Sequence, residues 1–482
     1  MTEQNRGLDP ALYDGLERDV AEVLAAWAEL HRRYYKLDRW LVNGRSRQPV
    51  AVVCEIDSHT SKATMLVLKV LSAPKDSLVS MEFARHRQAE LDHSAFAADH
   101  LSTFFHDAIP VPSGHRWITF QRIAAHSLES TEVLTVLLRR MLGVAGENDP
   151  QEYDEITCTP GTFTDTCRAI VAGVLGEWAG PPFVPPHQEW DPATFLGRHI
   201  FDQLDPGGRL ESWARDHQTD MIRVEGESVL LPNPFAVAQG RLLTDVSIAP
   251  LVGRCHGDLH TDNALVQVRP RVDVTTYFLI DTALYESVGP LTRDPVHLVL
   301  YVIARTMETI APAQHSALIE LLLDPINGPG HLLPGWLSAL VQGVDAETRA
   351  WIRESGLEQR WREQTFLSLA GCALLFLGRT STREQDKSWF LRLAARAVAK
   401  FAAERRIAFD GSGIAAAIAA PLAAQHDPQT RTPAPAESVP APPDGAEPTE
   451  TKRRKKGATY NVKLTDARGV QIGENGRQFN IG

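Results

Sequence analysis

Two short runs between residues 255 and 281 carry side chains that could do chemistry together: HGDLHTDN at 256–263 and FLID at 278–281. They put three oxygen-bearing side chains, Asp258, Asn263 and Asp281, at the ends of two short β-like segments. Phosphoryl transfer from a nucleotide needs such a set. One carboxylate orients and deprotonates the acceptor hydroxyl, while an amide and a second carboxylate hold magnesium. Magnesium prefers hard oxygen ligands and keeps part of its water, so two protein oxygens plus phosphate oxygens suffice. ATP and Mg2+ are therefore the expected cofactors. His256 and His260 have the i, i+4 spacing of a metal pair, but no HExxH pattern and no distant third ligand accompanies them.

The elements that would position these residues read as an α+β chain. Residues 10–36 read as an amphipathic helix with Leu16, Val20, Val23, Leu24, Trp27 and Leu30 on one face. A β-rich stretch from residue 37 follows, then a helix over 79–105 and an alternating strand over 116–124. In the strand over 65–71, Lys69 is the single charge among apolar neighbours. A lysine that reaches nucleotide phosphates, held by a glutamate on the next helix, would explain it, with Glu82 the first candidate and Glu90 the second. A surface lysine on an edge strand is the alternative. Helices are expected over 127–143, 163–177, 191–203 and 207–217, strands within 240–285, and helices again over 293–405 and 411–425.

Bulk properties narrow the function classes. The 482 residues carry a formal charge of −11 and are 43% apolar, as in an ordinary globular chain. With a sequence pI near 5.9, duplex nucleic acid is not an expected main partner. Five scattered cysteines (54, 158, 167, 255 and 372) form no CxxC pair, which suits a reducing compartment. No signal peptide is evident in MTEQNRGLDPALYDGLERDV, and the most apolar window, 366–378, is too short to span a bilayer. Arginines at 360, 362 and 379 flank that window. A cytoplasmic protein is expected.

HGDLHTDN and FLID resemble the pattern of the aminoglycoside phosphotransferases and related small-molecule kinases, which share the protein-kinase fold but carry His-Gly-Asp where protein kinases carry His-Arg-Asp. The resemblance implies a two-lobed protein-kinase-like fold over roughly residues 37–405. It implies Asp258 as catalytic base, His256 as a brace of the loop, and Asn263 and Asp281 as magnesium ligands. Asp294 falls where relatives have an Asp that supports the loop from the following helix; it also reads as a helix N-cap before Pro295. On the nucleotide side, Lys69 and Glu82 would form the phosphate-binding pair. Gly44 and Ser46 would belong to the hairpin over the phosphates, and Gln121 and Ile123 to the hinge beside adenine. Thr282 departs from the family, which usually has Phe or Tyr there, and the phosphate hairpin has one glycine. Within the superfamily, the pattern looks closest to kinase-like domains of bacterial conflict and signalling proteins.

Beyond residue 425 the composition changes. Residues 426–457 are rich in Pro, Ala and acidic residues and end in the basic run 452–456. Such a segment cannot bury a core and reads as an extended, disordered linker. The basic run fits a solubilising gatekeeper beside a β-prone stretch. In residues 458–482, Val462, Leu464, Val470 and Ile472 alternate with polar residues, and Asn475 is one of several amides able to stack in ladders between identical chains. Val470-Gln471-Ile472-Gly473 resembles the core of the RIP homotypic interaction motif, and the whole stretch looks like a bacterial amyloid signalling sequence. That resemblance implies a β-amyloid-forming tail, paired with a receptor or with itself.

The expected divisions are an N-terminal helix (1–36), a sheet lobe (37–125), a helical lobe with the catalytic loop (126–425), the linker (426–457) and the tail (458–482). The expected function is an ATP- and magnesium-dependent phosphotransferase governed by its tail. Its alternatives are a pseudokinase scaffold and a plain small-molecule kinase. The phosphate acceptor is not readable.

Overall fold

The computed structural model describes residues 7–40, 50–72, 81–112, 115–122, 130–144 and 155–409. Gly44, Ser46, Ile123, the expected helix over 411–425, the linker and the tail with Val470, Gln471, Ile472, Gly473 and Asn475 lie outside them.

Among the described residues the chain mixes helix and sheet. Helices α1 (Pro10–Gly15) and α2 (Arg18–Leu30) precede strands β1 (Arg33–Trp40), β2 (Val50–Asp57) and β3 (Ala63–Ser72). Next come α3 (Met81–Asp92), α4 (Ser94–His100), β4 (Thr103–Phe104), β5 (Ile109–Val111) and β6 (Arg116–Arg122). The strands make one antiparallel sheet in the order β1-β2-β3-β6, with β4 and β5 both pairing along β6. Val20, Ala21, Leu24 and Ala28 of α2 cover one sheet face, packed with Tyr35, Val53, Leu66, Leu68 and Phe120.

Two expectations change here. Residues 10–36 do not form one helix: Leu16 and Glu17 are extended between α1 and α2, and β1 begins at Arg33. The close approach of the Trp40 ring, 2.4 Å from where a Cβ of Gly15 would sit, demands a glycine at the break. Tyr35 is drawn into the sheet by burial and by its hydroxyl, which donates to the buried Glu55 at 2.6 Å. Leu30, expected on the apolar face, is 78% exposed at the helix end. Likewise the helix expected over 79–105 is split. His93 leaves helical geometry, its ring accepts from Phe96 N to cap α4, and residues 103–104 join the sheet.

The remaining chain is mainly helical. It comprises β7 (Thr131–Val133), α5 (Leu134–Met141), α6 (Pro160–Ala172), α7 (Pro192–Ile200), α8 (Glu211–Asp216), β8 (Met221–Ile222), β9 (Leu231–Pro232) and α9 (Pro234–Ala238). Strands β10 (Val252–Cys255), β11 (Ala264–Gln267), β12 (Asp273–Leu279) and β13 (Glu286–Pro290) then precede α10 (Arg293–Thr306), α11 (His315–Leu323), α12 (Gly335–Ile352), α13 (Glu358–Gly378) and α14 (Lys387–Glu404). β7 takes the start of the helix expected over 127–143, because Thr131 and Val133 pair with β11. The α13 helix is buried along most of its length and packs against α7, α10 and α14. A small apolar cluster joins the sheet to this part: Val52 of β2 meets Leu265 of β11 and Phe278 of β12, with Met65 and Val67 alongside. No helix among the described residues is long and apolar enough to cross a membrane. All five cysteines are free thiols.

The Tyr35–Glu55 contact gives a stability test. Tyr35→Phe removes one hydrogen bond to a buried carboxylate that keeps His106 and Arg33 as partners. A loss of about 2 kcal/mol is expected from urea unfolding followed by tryptophan fluorescence. An unchanged midpoint would show that this contact does not hold β1 in the sheet.

Candidate functional site

The site is built on the β11–β12 hairpin. Ala264 pairs with Leu279, and Ile280 N donates to Asn263 O at 3.0 Å, so Asn263 and Asp281 leave the hairpin at the same end. Asp281 has φ 60° and ψ 60°, a left-handed conformation that Asp and Asn tolerate better than most residues. Asn263 Nδ2 donates to Asp258 O at 3.0 Å, so its side-chain oxygen points away from that bond.

The turn before Asp258 is held from several sides. Gly257 has φ +81°, and a Cβ there would lie 2.1 Å from Leu284 O, so only glycine fits. Asp294, at the start of α10, accepts from His256 N at 2.6 Å and Gly257 N at 2.9 Å. Burial pushes the Asp294 carboxyl above its ordinary range, while His256, Arg293 and the two N–H donors pull against it. Burial lowers the His256 imidazole. A neutral ring suits its contacts, since Nδ1 accepts from Asp258 N at 3.3 Å and Nε2 faces Ile280 O at 3.0 Å. His256 thereby ties the Asp258 turn to the residue preceding Asp281.

Lys69 of β3 reaches the same end of the hairpin. Its Nζ pairs with Glu82 of α3 and lies 3.6 Å from Asp281 Oδ2. Burial alone would depress the ammonium, but Asp281 and Glu82 hold it above its ordinary range. Glu90, the second candidate, is engaged elsewhere: it accepts from Phe104 N at 3.0 Å and from Arg87 at 2.7 Å. Helix α3 is further fastened to the segment after Asp281. Arg85 Nη1 donates to Ala283 O at 2.9 Å. His86 contacts Ser102 O at 2.6 Å through Nε2, so its Nδ1 accepts the Thr282 hydroxyl at 2.8 Å. Gln121 is buried in β6 opposite Val67 of β3.

Asp258 is surrounded by groups that the sequence does not assign to it. Arg379 Nη2, just past α13, lies 3.2 Å from Asp258 Oδ1, His297 Nε2 lies 3.6 Å from Oδ1, and His260 Nε2 lies 3.4 Å from Oδ2. Burial alone would raise the Asp258 carboxyl, but His260, His297 and Arg379 together hold it well below its ordinary range. Asp262 is also engaged, by the Tyr301 and Thr135 hydroxyls and by Arg305 at 3.7 Å. The signals for these partners were faint. His297 stands one helical turn after Asp294, and Arg379 reads as a charge flanking an apolar window.

Chemically, the arrangement offers a hard amide oxygen and a carboxylate side by side, a cation beside them, and an ionised carboxylate one turn away. Asn263 and Asp281 suit magnesium, which takes oxygen ligands and needs few from the protein when phosphates supply others. Among the described residues no group of three or more His, Cys, Asp or Glu side chains could hold a metal ion.

No protein-family model matches the chain, and no curated protein matches it. Among solved structures, a crystal structure of a candidate aminoglycoside phosphotransferase from Ralstonia eutropha JMP134 is similar at TM-score 0.36 and 14% identity, over 80% of this chain and 99% of that chain. A likeness that slight carries no weight for activity, and the functional reading rests on the geometry above.

Asp294 yields a test of the turn. Asp294→Ala leaves the buried His256 and Gly257 N–H groups without their acceptor, which should cost about 3 kcal/mol in urea unfolding, whereas Asp294→Asn keeps one acceptor and should cost less. Equal losses in the two variants would mean that the carboxylate's bulk, not its hydrogen bonding, supports the turn.

Proposed function

We propose that this chain is an ATP- and magnesium-dependent phosphotransferase with a protein-kinase-like core acting on a hydroxyl acceptor. The observation that carries the reading is the convergence of Lys69 on both Glu82 and Asp281, at the hairpin end that also bears Asn263 and Asp258. Lys69, anchored by Glu82, would bind nucleotide phosphates. Asn263 and Asp281 would hold Mg2+, which supplies charge neutralisation at the transferring phosphoryl group. The cluster of Val52, Leu265 and Phe278 would supply the apolar surface on which a flat base packs. In the proposed scheme Gln121 and Ile123 would form the hinge beside it, and Gly44 and Ser46 the cover over the phosphates.

Asp258 would orient the acceptor hydroxyl and take its proton. The acceptor oxygen bonds to the γ-phosphorus as the bond to the bridging oxygen breaks, leaving ADP and a phosphorylated acceptor. His256 would fix the loop without touching the reacting atoms.

For residues 458–482, the pattern around Val470, Gln471, Ile472, Gly473 and Asn475 supports assembly with a receptor or with further copies of the chain. Recruitment through the linker at 426–457 would raise the local concentration of cores and switch on transfer, as in bacterial immune-type signalling.

Transfer of labelled γ-phosphate from ATP with magnesium tests the core. Asp258→Ala should lower turnover by about 10²-fold or more, and ATP binding without Asp258-dependent turnover would favour the pseudokinase scaffold instead. Separately, a chain ending at Glu450 should stay folded but lose assembly in sedimentation. An unchanged assembly state would remove the tail from the scheme.

A further inference from the structure

We propose that Arg379 is a positioning residue for Asp258, fixing its carboxylate so that Oδ2 faces the acceptor hydroxyl; this rests on the phosphotransfer reading. Arg379 Nη2 carries two hydrogens and has two acceptors in place, Asp258 Oδ1 at 3.2 Å and His297 Nε2 at 2.9 Å. His297 can accept because its other nitrogen, Nδ1, donates to Leu259 O at 3.0 Å. Leu259 follows Asp258, so the contacts close a ring: carboxylate, guanidinium, imidazole and the loop's own backbone. The guanidinium also lies over the Phe376 ring, 4.4 Å from its centre, and Arg379 is only 6% exposed. A planar donor pinned by a ring face, an imidazole and a carboxylate has little freedom to turn away.

The two carboxylate oxygens are consequently unequal. Oδ1 is taken by Arg379. Oδ2 has His260 Nε2 at 3.4 Å, a longer contact than the 3.2 Å from Arg379 to Oδ1. The His260 ring is itself oriented, because its Nδ1 accepts from Asp262 N at 3.2 Å. Asp258 keeps 23% of its side chain exposed while His260, His297 and Arg379 keep 6%, 1% and 7%. The reachable part of this cluster is the carboxylate, and its less engaged oxygen is Oδ2. The acceptor's proton therefore goes to Oδ2, and Arg379 acts on the transfer through Asp258.

A double-mutant cycle on the full chain decides this, with ATP–Mg as substrate, water as the probe acceptor and phosphate release as the readout. Arg379→Met should lower kcat by about 30-fold or more, the scale expected when a reacting group is misplaced by an ångström or so. KM for ATP should stay within about twofold, and Arg379→Lys should recover part of kcat, because positioning acts on the chemical step. In an Asp258→Asn background, Arg379→Met should cost almost nothing further, since the two residues act as one unit. Independent, multiplying losses, or an Arg379→Met rate within about threefold of the parent, would overturn the inference while leaving the phosphotransfer reading intact. Equal turnover by the parent and Asp258→Asn would instead sink the reading and the inference together. Should Arg379→Met fail to fold, Arg379→Lys carries the same cycle. It keeps the charge but cannot span both acceptors in the same plane, so an undiminished kcat would count against positioning.

Discussion

The buried Asp294 carboxylate is the constraint on which the site depends. It accepts two successive backbone N–H groups, from His256 and Gly257, at a turn that only glycine can make. With that turn set, His256 can reach Ile280 O, Asp258 emerges toward the exposed side, and Asn263 can brace Asp258 O. Burying a carboxylate is costly unless it is hydrogen-bonded. Here the cost is offset by giving its oxygens donors that would otherwise be orphaned inside the protein. One residue thereby satisfies two backbone groups and fixes the relative placement of α10, the 256–263 loop and the hairpin.

A second principle organises the rest. Each partly buried carboxylate of the site is met by a cation from a distant element. Lys69 of β3 approaches Asp281, Arg379 beyond α13 approaches Asp258, and Arg305 of α10 approaches Asp262. These pairs compensate charge locally within a chain whose net charge is −11. They also make the site a tertiary object. Its carboxylates lie within 24 residues of one another, from Asp258 to Asp281, but their cations come from residues 69, 305 and 379. Any ion or phosphate arriving at Asp281 competes with an existing Lys69 contact, so binding there rearranges a pair and does not fill an empty charge.

That separation explains what could be read in the sequence. The local part was legible, because HGDLHTDN and FLID carry their geometry in adjacent residues and in the short strands that bear them. Lys69 was legible as a lone charge on an apolar strand, and its pairing with Glu82 needed only the next helix. The cations around Asp258 were not legible, since nothing local links residue 379 to residue 258. Helix ends were misjudged where tertiary contacts outweighed periodicity. Tyr35 keeps helical spacing from Ala28 but is taken by Glu55 and the sheet, and His93 interrupts a helical run by capping the next one. Thr282 was read as a departure from a family pattern. Its hydroxyl meets His86, a hydrogen bond that holds the segment after Asp281 against α3.

Arg379 shows how a buried cation can be held by several kinds of partner at once. It directly follows the 21-residue helix α13, whose terminal carbonyls carry partial negative charge. Its backbone N–H donates to Phe376 O, closing that helix end. Its guanidinium then lies on the Phe376 ring of the same turn and reaches forward to Asp258 and His297. Helix end, ring face and carboxylate each favour the cation. Burial pushes His297 well below its ordinary range and the neighbouring Arg379 adds to the effect, which keeps its ring a neutral acceptor and avoids a competing positive charge. The apolar run of α13 therefore has a reason to end in a charge. It delivers a guanidinium seated on a ring face to a loop more than a hundred residues earlier in the chain, where it meets Asp258 Oδ1 and His297.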